Sequence, residues 1–161
     1  MEKKKEVYTP EDIAFLKDLA GIQPELNWSI RNDKQTDTQK ALTNRLDGII
    51  AKNHFTRAKT VFRGIADDTY KAMERSRSGD DIILKEKAYL SCCRSYAALV
   101  ANFSYKHFLL LTVHAGTAAA PIERFSESPW QQEVLLGRGR SMRIITEHEE
   151  DGRHYIWAEL L

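Results

Sequence analysis

Cysteine is scarce in this chain of 161 residues, and the two that occur, Cys92 and Cys93, are neighbours in the sequence. A disulfide between adjacent cysteines strains the peptide that joins them, and an isolated pair lacks the ligand spacing of a zinc site. We therefore expect no structural disulfide and no metal centre. This cysteine usage is typical of proteins that fold in a reducing compartment.

Long apolar runs are also missing. The longest, residues 108–113, is much shorter than the roughly 20 apolar residues that a membrane-spanning helix needs. The charged residues at the start of the chain have no apolar run behind them, so the sequence predicts no secretory signal peptide. These features predict a cytoplasmic protein without membrane contact.

Neither sign of charge is in excess, because 24 lysine and arginine residues are balanced by 23 aspartate and glutamate residues. The net charge of +1 gives no support for bulk electrostatic binding to nucleic acid or membrane. With 42% hydrophobic and 29% charged residues, the composition is that of an ordinary globular protein. The length predicts one domain that spans residues 1–161.

The first third of the chain predicts two helices. Thr9 is a suitable N-cap, and Asp12 completes a capping box with it. Gly21 predicts the end of this helix, and residues 27–36 are predicted to be irregular. A second helix is predicted over residues 37–52. Both helices are expected to cover a sheet without taking part in the chemistry.

The rest of the chain predicts short strands with one or two helices between them. Asp151 and Gly152 indicate the turn of a C-terminal hairpin. This order predicts an α+β fold, with helices packed on mostly antiparallel strands in one sheet or two. Strands are predicted at 59–65, 82–84, 89–93, 106–114, 134–136, 141–148 and 153–161, helices at 67–77 and 95–103, and a loop at 116–128.

Arg63 lies within an apolar strand and is followed by Gly64. A buried arginine is unfavourable unless its guanidinium has a fixed anionic partner, and glycine lets another group approach the backbone closely. A phosphate-bearing ligand explains both residues, because arginine binds phosphate in a bidentate manner. An ion pair with a protein carboxylate is the alternative.

Two further polar residues occupy apolar strands. Glu133 stands at the start of a strand predicted to be buried on both faces, which is how catalytic acids are often held. The alternative is a solvated glutamate at a strand end. Ser91 lies within another apolar strand. The hypothesis of a site depends on whether Arg63, Ser91 and Glu133 converge.

Three motifs contain these residues: FRG at 62–64, LSCC at 90–93 and QQEVLL at 131–136. Their order and spacing resemble the Arg–Ser–Glu class of ADP-ribosyltransferases, the cholera- and clostridial-toxin-like enzymes. The resemblance implies an α+β core of two packed, mostly antiparallel sheets with NAD in the cleft between them. It divides the single catalytic domain into a helical lead-in, about 8–55, and an NAD-binding core, about 59–161.

The resemblance also implies roles for the three residues. Arg63 would bind the NAD phosphates or the adjoining ribose, with Phe62 and Gly64 beside it. Ser91 would orient Glu133, which would hold the 2′-hydroxyl of the nicotinamide ribose. A carboxylate at that position stabilises the oxocarbenium-like sugar that forms as nicotinamide leaves.

Other residues refine this picture. Tyr96 and Phe103 are candidates for stacking on the cationic nicotinamide ring, with core packing as the alternative. The family's Ser-Thr-Ser motif reads Ser-Cys-Cys here, so Cys93 lacks a hydroxyl and one hydrogen bond is in question. Gln131, two residues before Glu133, implies an acceptor other than arginine, because an amide pairs poorly with a guanidinium.

We therefore expect a mono-ADP-ribosyltransferase with NAD as co-substrate, a bacterial or phage toxin or effector that modifies a protein. It would be cytoplasmic, or would be delivered into a target cell as an effector. An immunity or antitoxin protein is the expected partner. The alternatives are RNA or DNA as the acceptor, an NAD glycohydrolase, and a non-catalytic binding module of the same fold. The five histidines lack metal spacing and are predicted to be surface or core residues.

Overall fold

The computed structural model describes residues 7–100, 105–125 and 132–161. The helices are α1 (Pro10–Arg31), α2 (Asp37–Ala51), α3 (Asp67–Ala72), α4 (Tyr96–Val100) and a short 3-10 helix (Glu123–Phe125). The strands are β1 (Lys59–Ile65), β2 (Glu74–Ser78), β3 (Asp81–Glu86), β4 (Leu90–Cys93), β5 (His107–Val113), β6 (Ala119–Pro121), β7 (Glu133–Leu136), β8 (Arg140–Glu150) and β9 (Arg153–Leu160).

Hydrogen bonds join the strands in the order β2-β3-β8-β9-β5-β1-β4-β7-β6. The paired strands are antiparallel except β5 and β9, which are parallel. This arrangement confirms the predicted α+β fold with N-terminal helices. The two sheets that the resemblance implied form one continuous sheet here, since β1 and β4 are joined at a single registered pair, Phe62 and Cys93.

The two parts of the sheet share one hydrophobic core. Val61 and Leu109 come from the larger part, and Leu90, Val134 and Leu136 come from the smaller part. Leu135 points the other way, into a second cluster that it shares with residues of α1 and α2. Strand β7 is therefore buried on both faces, as its sequence predicted, and it gives Glu133 a rigid support.

Helix α1 is longer than predicted. Its N-terminal capping box between Thr9 and Asp12 is present, but the helix continues through Gly21 and Pro24 as far as Arg31. Glycine and proline within a helix cost about 1 and 3 kcal/mol. The hydrophobic residues Leu19, Leu26 and Ile30 are buried along one face of the helix. Each contributes about 1.5–3 kcal/mol, which together exceeds that cost.

Two predictions for later parts of the chain were also wrong. The helix predicted over residues 67–77 ends at Ala72, and the following residues form strand β2. All five residues of β2 are exposed, so no apolar pattern marked it as a strand. Strand β6 falls within the predicted loop at 116–128, and it pairs with β7.

The C-terminal hairpin agrees with the prediction. Asp151 and Gly152 have φ angles of 52° and 76°, which are the left-handed angles of a tight hairpin turn. In the parts of the chain that the structure describes, no helix is long and apolar enough to cross a membrane.

Candidate active site

Three neighbouring strands bring the predicted polar residues together. Strand β4 lies between β1 and β7, so Ser91 is flanked by the strands that carry Arg63 and Glu133. The Ser91 hydroxyl donates to Glu133 Oε2 at 3.0 Å. The Arg63 Nη1 group donates to the backbone carbonyl of Ser91 at 2.5 Å. Ser91 therefore contacts the cation through its backbone and the carboxylate through its side chain.

A cavity of about 500 Å³ opens beside these strands. Arg63 and Glu133 lie in its wall together with residues of α1, of α3 and of the segment before β7. Its volume is in the range of small-molecule sites. The lining residues are Leu16, Leu19, Ala20, Gln23, Pro24, Asn27, Trp28, Arg31, Arg63, Asp68, Thr69, Ile122, Phe125 and Glu133.

Helix α1 supplies more than half of this wall, which the sequence reasoning missed. Asn27, Trp28 and Arg31 belong to the stretch that was predicted to be irregular. Gly21 concealed their role, because a helix that ended there would place Leu16, Leu19 and Ala20 at the cavity but not these three residues. The signal that was available is the spacing of Leu19, Leu26 and Ile30, which continues one helical face past the glycine.

The Arg63 guanidinium has an unused donor. Its Nε atom is buried and has no hydrogen-bond partner among the described residues. A buried donor without a partner carries a desolvation cost of about 1–3 kcal/mol, which an anionic ligand in the cavity would relieve. The alternative predicted for Arg63, an ion pair with a protein carboxylate, is not found among the contacts of the described residues. This environment fits a phosphate group of NAD.

Gly64 has a different explanation from the predicted one. A Cβ atom at this position would lie 2.2 Å from the Tyr105 ring, so the glycine makes room for an aromatic side chain. Gly64 does not line the cavity. A close approach to this backbone is therefore made by the Tyr105 ring, and a contact between Gly64 and NAD stays a prediction.

Two of the three aromatic candidates, Phe62 and Tyr96, lie outside the cavity wall. Phe62 and Tyr96 pack edge to face with ring centroids 5.6 Å apart, and Tyr96 is 54% exposed. Neither of them lines the cavity. Gln131 and Phe103 lie outside the described residues, so their predicted roles stay predictions.

The chain before Glu133 is held by contacts that the sequence did not reveal. Gln132 adopts a left-handed φ of 49°, and its carbonyl accepts a hydrogen bond from the Arg94 amide at 3.1 Å. The Arg94 guanidinium also pairs with Glu123. Strand β7 is thereby tied to the residue that follows β4, which helps to fix the position of Glu133.

The two cysteines are free thiols. Burial raises the pKa of Cys92 to about 12. Burial, followed by the negative charge of Glu133, also raises the pKa of Cys93, which is paired with Glu133 across the sheet. Both thiols are held protonated, which makes them poor nucleophiles.

The family model for the ADP-ribosyltransferase exoenzyme matches residues 5–161. The chain belongs to this family. It is therefore an ADP-ribosyltransferase, and NAD is its co-substrate, as the sequence predicted. No cluster of three or more histidine, cysteine, aspartate or glutamate residues in the described ranges is arranged to hold a metal ion.

Solved structures of ADP-ribosyltransferase toxins share the fold. C3stau2 from S. aureus, solved with NAD, is 20% identical with a TM-score of 0.79, over 96% of this chain and 88% of its own. Plx2a, a toxin from Paenibacillus larvae, is 19% identical with a TM-score of 0.76, over 95% of this chain and 87% of its own.

A third structure is exoenzyme S from Pseudomonas aeruginosa, in complex with human 14-3-3 protein beta and bound to carba-NAD. It is 16% identical with a TM-score of 0.75, over 94% of this chain and 74% of its own. A search of curated protein sequences found no match. The chain has therefore kept the fold of this toxin family at low sequence identity.

Proposed function

We propose that the chain transfers a single ADP-ribose group from NAD to a protein, through an Arg–Ser–Glu site formed by Arg63, Ser91 and Glu133. The observation that carries this proposal is the 3.0 Å hydrogen bond from Ser91 to Glu133 at the wall of a cavity that also contains Arg63. The toxin or effector role and an immunity protein as partner belong to the same proposal.

Glu133 acts on the sugar. As the bond between the nicotinamide ring and the ribose breaks, its electron pair leaves with nicotinamide and the sugar acquires positive charge. The Glu133 carboxylate stabilises that charge, and the Ser91 hydroxyl holds the carboxylate in place. A nucleophilic atom of the acceptor then forms the new bond to the sugar carbon and loses its proton.

Arg63 acts on the other part of the molecule. Its unpaired Nε donor and its half-buried guanidinium are suited to a phosphate oxygen. The Ser91 carbonyl holds the same guanidinium through Nη1. The phosphate contact and the catalytic carboxylate are thus both positioned by one residue of β4, which fixes the distance between them.

The acceptor follows from the sequence. Gln131 stands where an arginine-modifying relative would carry glutamate, so we propose a side chain other than arginine as the acceptor. The net charge of +1 favours a protein over RNA or DNA, because nucleic-acid binding usually requires a basic surface.

The test uses NAD with a tag on its adenine, a cell lysate and the purified chain. Mass spectrometry of the labelled fraction is expected to show a modified protein, with labelling reduced about 10²–10³-fold by Glu133→Gln. Glu149→Gln, at an exposed position of β8, is the matched control and should label like the wild type.

Each other result identifies a different function. Label on RNA or DNA would replace the protein acceptor. Nicotinamide release without any labelled macromolecule would indicate a glycohydrolase. NAD binding without nicotinamide release, unchanged by Glu133→Gln, would indicate a binding module and overturn the proposal.

A further inference from the structure

Two histidines face each other in neighbouring parallel strands. His107 of β5 is registered with His154 of β9, and their Nδ1 atoms are 2.9 Å apart. His107 is 4% exposed, and the side chain of His154 is 13% exposed. His107 is therefore buried in the sheet and His154 is half-buried, and neither is among the residues that line the cavity.

The outer nitrogen of each ring faces a carboxylate. His107 Nε2 lies 2.8 Å from Asp67 Oδ1, and His154 Nε2 lies 2.9 Å from Glu147 Oε2. The hydrogen bond from His107 is the main cause that lowers the pKa of Asp67 to about 2. The hydrogen bond from Arg75 is the main cause that lowers the pKa of Glu147. Both carboxylates are charged, so each Nε2 atom must carry a proton.

These contacts determine how many protons the pair holds. Two protons occupy the Nε2 atoms, and the short contact between the Nδ1 atoms requires one more. With no proton between them, two lone pairs would face each other. With two, two N–H groups would face each other. The observed geometry therefore corresponds to three protons on four nitrogens, which gives the pair one positive charge.

The pair is attached to the wall of the cavity through α3. Asp67 is the first residue of this six-residue helix, and Tyr70 stacks on the His107 ring with centroids 4.1 Å apart. The next residues after Asp67, Asp68 and Thr69, line the cavity. Helix α3 has no side-chain N-cap and no buried residue. Its position therefore depends on contacts such as those of Asp67 and Tyr70 with the His107 ring.

We propose that the His107–His154 pair, with one proton shared between its Nδ1 atoms, positions α3 at the cavity and makes NAD binding depend on pH. The part that concerns NAD rests on the proposed function, whereas the shared proton does not. NAD binding is strongest where the pair holds that single proton, and it weakens on both the acidic and the alkaline side.

Other charged groups that face the pair belong to three elements. Lys71 of α3 and Lys106, which precedes β5, lie 2.9 and 3.8 Å from Asp67, and Arg75 of β2 binds Glu147 and the Tyr70 hydroxyl. Histidine is the side chain whose ordinary pKa lies between about 5 and 8. Substitution of His154 therefore tests whether a change in NAD binding over that range comes from the pair.

The first experiment measures the protons directly. Nitrogen-15 spectra of the imidazoles in the full chain are expected to show both Nε2 atoms protonated and one proton shared between the two Nδ1 atoms. Two rings that titrate independently, or that adopt different tautomers, would overturn the shared proton, and with it the proposal. Spectra recorded without NAD decide this point even if the chain bound no NAD at any pH, which would refute the proposed function instead.

The second experiment measures NAD affinity by calorimetry across the same pH range. In His154→Asn an amide takes the place of Nδ1, and it can donate to His107 Nδ1 or accept from it, whichever protonation state His107 has. Affinity near the optimum of the wild type is therefore expected within about threefold and independent of pH. His154→Ala loses the hydrogen bond, and its affinity is expected to fall roughly tenfold.

His148→Asn is the matched control, since His148 is an exposed histidine of the same hairpin, and its profile should follow that of the wild type. In nicotinamide-release assays, the alanine variant should raise KM and leave kcat unchanged. A wild-type pH profile that persists in His154→Asn would overturn the positioning role. Spectra of His154→Asn show whether it is folded, so the test does not depend on the alanine variant.

Discussion

The two walls of the cavity are held by different forces. In the sheet wall, Arg63 and Glu133 stand on buried strands and are linked through Ser91 by hydrogen bonds within the site itself. In the helix wall, Arg31 of α1 pairs with the buried carboxylate of Glu86 at 3.0 Å, and Asn27 accepts a hydrogen bond from the Tyr89 amide. Glu86 is the last residue of β3 and Tyr89 directly precedes β4, and so the helix wall supports the strand that carries Ser91.

These different contacts predict that the helix wall contributes mainly to stability and the sheet wall mainly to the reaction. Under the proposed function, the contacts of the sheet wall position groups for a reaction, and the three side chains that make them are only half-buried. The ion pair and hydrogen bond of the helix wall are buried and hold the helix to the sheet. Substitutions in the helix wall should therefore change mainly the free energy of unfolding, whereas substitutions in the sheet wall should change mainly the rate.

The largest effect is expected for Arg31→Ala, which leaves the Glu86 carboxylate, 1% exposed, without its cation. Removing one partner of a buried ion pair costs about 3–5 kcal/mol of unfolding free energy. Urea denaturation measures this loss. Arg57→Ala removes an exposed arginine and serves as the control. If both variants were equally stable, the helix wall would not be anchored by this pair.

The next effect concerns the sheet wall. Glu133→Gln keeps an acceptor for the Ser91 hydroxyl but removes the charge, so we expect nicotinamide release to fall about 10²–10³-fold. The free energy of unfolding should change by no more than about 0.5 kcal/mol. The two quantities are measured on the same preparation, and a large loss of stability in this variant would remove the contrast between the walls.

A smaller loss of stability is expected for Gly64→Ala. The new methyl group would lie 2.2 Å from the Tyr105 ring, and such overpacking costs typically about 1–3 kcal/mol. Adding Tyr105→Ala should remove most of this penalty, which a double-mutant cycle by urea denaturation would show. A loss of NAD affinity without a loss of stability would instead assign Gly64 to the ligand.

The smallest effect should depend on pH. Asp12 accepts from Lys52 at 2.6 Å, and this hydrogen bond is the main cause that lowers its pKa. Because the folded pKa is below the unfolded one, the contribution is present above about pH 4 and is lost as the pH falls through the folded value.

Asp12→Asn should therefore reduce the free energy of unfolding by about 1 kcal/mol at neutral pH and by almost nothing in strong acid. Unfolding curves at several pH values measure the difference. Asp18→Asn, on an exposed position of the same helix, should show no such dependence. A difference that stayed constant with pH would assign the effect to packing.

The residues of the sheet wall could be predicted from the sequence for a physical reason. Arg63, Ser91 and Glu133 are polar side chains in apolar strands, and such residues need a partner or a function. The order of strands β1, β4 and β7 in the sheet could not be predicted in the same way, because pairing between distant segments leaves no local trace. The resemblance to known motifs supplied only the expectation that the three residues meet at one site.

Other features were hidden by local signals. Gly21 and Pro24 indicate the end of a helix, and only burial of Leu26 and Ile30 against the rest of the fold overrides them. The pair of His107 and His154 requires a parallel register between β5 and β9. Nothing in either strand alone distinguishes these histidines from ordinary core residues.

Ser91 offers its hydroxyl to the acid and its main-chain oxygen to the guanidinium. A substitution of Ser91 can remove the hydrogen bond to Glu133. It leaves the hydrogen bond from Arg63 to the main-chain oxygen in place as long as strand β4 folds. Under the proposed function, a substitution at position 91 would therefore abolish cleavage of NAD before it abolished binding of NAD. An inactive variant of this kind would then still bind NAD, so loss of activity and loss of the ligand need not coincide.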